Sequence, residues 1–317
     1  MRERMWDPEM EEAAARFGQA AALLPRALRQ GAEALPAEAR ARAEELRLRA
    51  GRPPTAVLPE GERVLPGREG RPVTPEDLRQ VLEVATQASA HTVLDQIRAG
   101  YVTVRGGHRV GLCGSVVWED GVLRTMGSLS SLSIRVARAV PTAAAGVRPL
   151  LERTGRLEGT VILSPPGGGK TTFLRDLIRR LSDGVEGPPL RVGVADERGE
   201  LAAMYGGLPM NDLGRRTDVL DGCPKATALV MLLRAMNPQV LAADEVAGAA
   251  DAAALEEAAG CGVRLLCTAH AASPAELLRR PLLRPLVQNG ALTQAVVLTG
   301  RGTGRRWTVE PLEAAAC

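Results

Sequence analysis

From residue 9 to 50 apolar positions such as Leu24, Leu28, Leu35, Leu46 and Leu48 recur among Ala, Glu and Arg, with Pro25 and Pro36 as interruptions. The spacing predicts a run of short helices. Proline and glycine then punctuate residues 52 to 75, which predicts loops or short edge strands. Thr74-Pro75-Glu76-Asp77 has the form of a helix N-terminus, with Leu78, Val81, Leu82 and Ala85 as the buried stripe of a helix running to about Ala90. Residues 101–104 and 109–112 flank Arg105-Gly106-Gly107-His108, the pattern of a hairpin with a glycine turn. Further strands are expected at 115–118 and 131–137.

The second half reads differently. Short apolar runs at 160–163, 191–195, 239–243, 263–267 and 295–299 alternate with helical patterns at about 170–182, 225–236, 250–260 and 273–280. Strand and helix in alternation predict a mostly parallel sheet covered on both faces. The chain therefore divides into a smaller mixed α+β N-terminal domain at 1–140 and an α/β domain at 141–317. Its 317 residues suit two domains of ordinary size.

Composition removes several classes of protein. No stretch approaches the roughly 18 to 20 apolar residues of a membrane-spanning helix, and the N-terminus leads into an acidic, alanine-rich stretch instead of a signal-peptide core. The expectation is a soluble, cytoplasmic protein with no direct membrane insertion. Five cysteines form no C-x-x-C pair and three histidines (His91, His108, His270) lie far apart, so neither a disulfide framework nor a zinc site is expected. A net charge of only +3 and 2% aromatic residues disfavour a nucleic-acid surface. Of 40 basic side chains only two are lysine, Lys170 and Lys225. Arginine and lysine are not interchangeable, so each retained lysine invites a reason.

Lys170 has one. Ser164-Pro165-Pro166-Gly167-Gly168-Gly169-Lys170-Thr171-Thr172 follows an apolar strand and opens a helix, the phosphate-binding loop pattern with Ser164 in place of the opening glycine. Small residues let successive backbone N–H groups turn toward phosphates and deliver them to a helix N-terminus. In such a loop Lys170 reaches the outer phosphates and the hydroxyl of Thr171 coordinates Mg2+. A second strand, Val240-Leu241-Ala242-Ala243, ends in Asp244-Glu245. Asp244 is placed to hold the metal and Glu245 to orient or deprotonate an attacking water.

Two other strand ends meet the same carboxyl edge of a parallel sheet. Asp196-Glu197-Arg198-Gly199-Glu200 offers Glu197 or Glu200 to position water, or is an exposed acidic turn. Thr268-Ala269-His270 offers His270 as a sensor of the terminal phosphate, or a satisfied edge histidine. The polar stretch from Gly214 to Lys225 shows no regular period. Arg215 or Arg216 in it would suit an arginine finger inserted into a neighbouring subunit, or would belong to a solvated loop. Lys225 has no role legible in the pattern.

These strings resemble the stage III sporulation protein AA family, ATPases of endospore-forming bacteria that are similar to the ATPases of type II and type IV secretion. The resemblance spans nearly the whole chain. It rests on Glu45-Leu46-Arg47-Leu48-Arg49 with Gly51-Arg52-Pro53, on Gly106 to Leu112, on Ser130 to Arg135, on the phosphate loop, and on Arg216 to Lys225. It implies a RecA-like P-loop NTPase domain after the N-terminal domain, ATP and Mg2+ as cofactors, and a homo-oligomeric, hexameric ring. It also implies that Arg109 and Arg135 of the N-terminal domain contact the nucleotide. The setting it implies is the mother cell, at the outer forespore membrane, where the ATPase powers or assembles a channel of integral-membrane sporulation proteins. The competing reading is a nucleotide-gated ATPase that binds single-stranded nucleic acid, which scarce aromatics disfavour. A scaffold with slow or no turnover is a third.

Overall fold

The computed structural model describes residues 8–86, 97–98, 100–119, 122–138, 142–300 and 305–312. The chain forms two compact units, Met1–Arg138 with Ala203–Met210, and Ala139–Ala202 with Asn211–Cys317.

The first unit begins with three short helices, α1 (Pro8–Ala21), α2 (Arg26–Glu33) and α3 (Ala37–Arg42). Pro25 and Pro36 stand just before α2 and α3, where a missing N–H leaves no helical bond unmade. The helical expectation fails at residues 45–49. Glu45-Leu46-Arg47-Leu48-Arg49 alternates with period two, Leu46 and Leu48 are fully buried, and the segment is strand β1 (Glu45–Arg49). With β2 (Thr55–Leu58), β3 (Gly61–Val64), β4 (Tyr101–Thr103), β5 (Arg109–Glu119) and β6 (Val122–Arg135) it forms an antiparallel sheet in the order β3-β2-β1-β6-β5-β4. The strands expected at 115–118 and 131–137 are parts of the long pair β5 and β6.

Helix α4 (Pro75–Thr86) starts from a reciprocal cap. Thr74 Oγ1 accepts the Asp77 N–H at 3.1 Å and the Asp77 carboxylate accepts the Thr74 N–H at 2.8 Å. Its expected continuation to Ala90 lies outside the described residues, as do His91 and Cys317. Leu46, Leu48, Val110, Leu132 and Ile134 of the sheet pack in one core with Phe17, Leu28, Leu78 and Val81 of the helices and Leu24 of the turn between α1 and α2. Truncating one such Leu to Ala costs about 2–5 kcal/mol.

After α5 (Arg148–Leu151) and the small hairpin of β7 (Glu152–Arg153) and β8 (Arg156–Leu157), the second unit builds its own sheet. Its strands are β9 (Thr160–Leu163), β10 (Val192–Asp196), β13 (Thr217–Asp221), β14 (Val240–Ala243), β15 (Arg264–Ala269), β16 (Gln294–Thr299) and β17 (Arg306–Pro311). The order is β13-β10-β14-β15-β9-β16-β17, parallel except for β17. The two-residue strands β11 (Met204–Tyr205) and β12 (Leu208–Pro209) pair in the excursion grouped with the first unit. The helices are α6 (Lys170–Asp183), α7 (Lys225–Met236), α8 (Ala249–Gly260), α9 (Pro274–Leu278) and α10 (Arg284–Gln288).

β9 and β14 are buried at every position, as strands covered on both faces should be. The edge strands β13 and β17 carry no such run, which is why apolar periodicity does not announce them. The middle of the stretch from Gly214 to Lys225 is therefore strand β13. β15 lies between β9 and β14, so whatever ends β15 stands between the phosphate-loop strand and the Asp244-Glu245 strand.

Candidate active site

β9 ends at Leu163 and α6 begins at Lys170, so the turn between them is Ser164 to Gly169. Gly167 and Gly169 have φ of 75° and 88°, the left-handed region where a Cβ is strained. Ser164 is fully buried and its hydroxyl donates to the Pro165 carbonyl at 2.9 Å. A Cβ on Gly168 would lie 2.2 Å from Ser164 Oγ, so a serine at the first position requires a glycine at this one. Pro165, Pro166 and Gly167 are exposed, and Thr172 lies in the first turn of α6.

The Lys170 ammonium folds back over the turn, donating to the carbonyls of Ser164 at 3.0 Å and Pro165 at 3.4 Å. Burial pushes its pKa below the ordinary lysine range, while the carboxylates of Asp244 and Glu245 pull it back up. Its third contact is His270 Nδ1, at 2.9 Å. An ammonium only donates, so Nδ1 is the accepting nitrogen and the ring proton resides on Nε2. Nε2 faces Glu245 Oε1 at 3.4 Å.

Thr171, Asp244, Thr268 and Glu245 form a second chain. The Thr171 hydroxyl donates to Asp244 Oδ2 at 2.6 Å and the Thr268 hydroxyl to Asp244 Oδ1 at 2.6 Å. The Glu245 N–H reaches Thr268 Oγ1 at 2.8 Å and Asp244 Oδ1 at 3.1 Å. Thr268 is fully buried at the end of β15 and takes this bridging place because β15 is the interposed strand. Glu245 itself has φ of 41°, outside the usual range for a residue with a side chain.

Asp196 ends β10 almost fully buried and accepts N–H groups from Glu200, Leu201 and Ala202. Burial pushes its pKa up against the pull of those N–H groups. It is an anchor for the turn that follows. Glu197 Oε2 accepts the Lys225 N–H at 3.3 Å, so this carboxylate caps the N-terminus of α7. The Glu200 carbonyl accepts from Arg175 of α6 at 2.8 Å, tying the same turn to the phosphate-loop helix. Glu197 and Glu200 thus join the edge of the site through the frame that supports it.

The arginines divide by place. Arg216 donates through its guanidinium to the Ser182 carbonyl at 3.2 Å and through its N–H to Ser182 Oγ at 2.6 Å, and the Arg215 N–H meets Asp183 Oδ1 at 2.9 Å. Both sit at the C-terminal end of α6, where Arg216 caps a carbonyl, roughly 20 Å along a helix from its phosphate-loop end. Within one chain they do not meet the phosphate loop. Arg109 and Arg135 belong to the first unit, as register partners on β5 and β6. Arg109 stacks on Tyr101 at 3.5 Å from the ring centroid, and Arg135 Nε lies 3.2 Å from Glu45.

Two arginines at the site escape the sequence reading. Arg198 donates to Glu245 Oε2 at 3.0 Å. It stands inside the acidic stretch after β10, where attention falls on its carboxylates. The Arg305 guanidinium covers Gly169 so closely that a Cβ there would lie 2.5 Å from Cζ, and its Nε is buried without a hydrogen-bond partner. Arg305 precedes β17, a strand no pattern announces, so no sequence signal places it.

The residues fit a nucleotide with Mg2+. The loop is one that only small residues allow, an ammonium and a guanidinium lie against it, and Thr171 and Asp244 present two adjacent oxygen donors beside its helix N-terminus. This sheet and loop define an α/β fold of the RecA-like P-loop class. Two solved structures share it: the ATPase DotB of Legionella pneumophila, with a TM-score of 0.55, 15% identity, and coverage of 98% of this chain and 81% of that one, and the pilus retraction motor PilT with bound ADP, with a TM-score of 0.58, 19% identity, and coverage of 86% and 80%.

Residues 18–308 match the family described as Sporulation stage III, protein AA, and the chain belongs to that family. Stage III sporulation protein AA of Bacillus subtilis (strain 168) is 36% identical over 292 residues, covering 90% of this chain and 92% of that protein.

Proposed function

We propose that the protein is a Mg-dependent ATPase of endospore formation. The observation that carries this reading is the convergence of Lys170, Thr171, Asp244, Glu245 and His270 at one sheet edge through contacts of 2.6 to 3.4 Å. Lys170 and Arg305 bring positive charge to the outer phosphates, and the N–H groups of the glycine turn donate to the oxygens of the rest of the phosphate chain. Thr171 and Asp244 hold Mg2+, which when bound neutralises charge on the phosphate oxygens. Glu245 orients the attacking water and takes its proton. His270 holds a proton on Nε2 toward Glu245 and links that carboxylate to Lys170, so the state of the phosphate site is felt at the base.

The family supports a setting in sporulation, and the likeness to a pilus retraction motor supports mechanical use of the turnover. We place the protein in a ring of copies, hexameric as first expected, at the cytoplasmic face of the outer forespore membrane, acting on integral-membrane channel proteins. No helix among the described residues is long and apolar enough to cross a membrane, and in this proposal contact with the membrane runs through those partners. In a ring, Arg215 and Arg216 would serve only the site of a neighbouring copy, and Arg109 and Arg135 are the candidates from the first unit.

The test is MgATP binding and phosphate release by the full chain. Lys170→Ala is expected to lose both, and Glu245→Gln to bind MgATP while releasing phosphate at least about a hundredfold more slowly. Wild-type turnover in purified Glu245→Gln protein would remove the assigned base.

A further inference from the structure

Both lysines of a chain whose other basic side chains are arginine end at this one site. Lys170 is explained by the phosphate loop, and Lys225 is not. Lys225 is buried at the first position of α7. Its Nζ donates to the main-chain carbonyl of Glu245 at 2.6 Å, and its own N–H meets Glu197 at 3.3 Å. It therefore ties together the ends of β10 and β14, which are neighbours in the sheet.

The carbonyl it holds belongs to the residue with the unusual backbone. Glu245 has φ of 41°, a conformation that persists in a residue with a side chain only where the surroundings impose it. Thr268 Oγ1 and Asp244 Oδ1 hold its N–H, and Lys225 holds its C=O. With the peptide fixed on both sides, the carboxylate is directed to His270 and Arg198.

We propose that Lys225 is a positioning residue for hydrolysis, which locks the Glu245 backbone in the left-handed region and so aims its carboxylate. The inference rests on the ATPase reading of the site and on Glu245 as its base. It also explains the choice of side chain. One buried carbonyl needs a compact charge on a slim stem, whereas a guanidinium brings a planar fork of five donors to be satisfied.

The experiment compares wild type, Lys225→Met, Lys225→Arg, Glu245→Gln and the double variant Lys225→Met/Glu245→Gln. MgATP affinity is read by calorimetry, kcat by phosphate release and folding by thermal unfolding. Lys225→Met is expected to bind MgATP within about twofold of wild type and to lose about tenfold to a hundredfold in kcat, the scale on which a misplaced catalytic group slows a reaction. Lys225→Arg should recover part of the loss.

A group that acts only through Glu245 has nothing left to lose once Glu245 is gone, so the double variant should match Glu245→Gln. Wild-type kcat in Lys225→Met, a further loss of tenfold or more in the double variant, or equal losses of affinity and kcat that follow a lowered unfolding temperature would each overturn the inference. If Glu245→Gln turns over like wild type, the base assignment fails and takes the inference with it, while nucleotide binding stands. If the wild type does not bind MgATP, the ATPase reading itself is lost.

Discussion

His270 Nδ1 lies 2.9 Å from the ammonium of Lys170, and the same ring meets Glu245 through Nε2 at 3.4 Å. On the proposed reading, a histidine in this place would couple the ammonium that meets phosphate to the carboxylate that handles water. Withdrawal of the ammonium toward a bound phosphate frees Nδ1 as an acceptor and changes what Nε2 offers to Glu245. His270→Ala should leave MgADP affinity within a few fold of wild type and lower kcat on the order of a hundredfold. Calorimetry and phosphate release on the same preparation check the split. Equal loss in both would make the ring part of the binding site only.

Thr268 is the buried joint between the two carboxylate-bearing positions. Its hydroxyl donates to Asp244 at 2.6 Å and accepts from the Glu245 N–H at 2.8 Å. Thr268→Val keeps the shape and removes both bonds, leaving Asp244 Oδ1 and the Glu245 N–H with only their 3.1 Å bond to each other. The expected cost is about 1–3 kcal/mol in chemical unfolding. The Mg2+ concentration for half-maximal turnover should rise as well, because Asp244 loses one of the bonds that orient it.

The sequence makes the second unit's central sheet readable because its inner strands are apolar throughout and its loops carry residues with few other uses. Ser164 to Thr172 and Asp244-Glu245 are visible for that reason. The strand at 45–49 hides among helices because five residues are too few for period two to stand out beside Ala-rich helical sequence. β13 and β17 hide because edge strands need bury only part of one face. Arg305 and Arg198 hide because arginine is everywhere in this chain, so its identity carries little information at any one position. The role of Lys225 needs the backbone of Glu245, and a φ angle is not written in residue types.

Arg305 and Gly169 are predicted to be interdependent. Arg305→Ala removes a guanidinium that lies against the phosphate loop with its Nε unpartnered, and should weaken MgADP binding about tenfold, as loss of one charge-assisted contact does. Gly169→Ala meets a φ of 88° and displaces the Arg305 guanidinium from the loop, so it should weaken binding more than Arg305→Ala does. Adding Arg305→Ala to Gly169→Ala removes the collision and leaves the strain. Binding in the double variant therefore stays below that of Arg305→Ala alone, which calorimetry on the four proteins will show.

Arg216→Ala separates a cap from a finger. In this chain its guanidinium holds the Ser182 carbonyl at the end of α6, a contact worth about 1 kcal/mol in unfolding. A cap alone lowers stability and leaves turnover per folded site unchanged at every protein concentration. A residue that also reaches a neighbouring site lowers turnover only where copies assemble. Phosphate release measured across the dilution series that dissociates the oligomer distinguishes the two.

The first unit carries a pH dependence that can be assigned to one group. His108 is fully buried, accepts the Ala137 N–H on Nδ1 at 3.1 Å and has no partner for Nε2. Burial, reinforced by the charge of Arg16, pushes its pKa from 6.5 down to about 4. The unfolded chain therefore takes up a proton below pH 6.5 that the folded chain refuses until about pH 4. Stability is at its full value above pH 6.5 and falls as the pH drops through that window, by a total of about 3 kcal/mol. His108→Asn, which keeps an acceptor near the position of Nδ1 but does not titrate, should flatten the dependence in this window. Denaturant midpoints of the two proteins at pH 7 and pH 4.5 check it, and parallel declines would assign the acid loss to carboxylates instead.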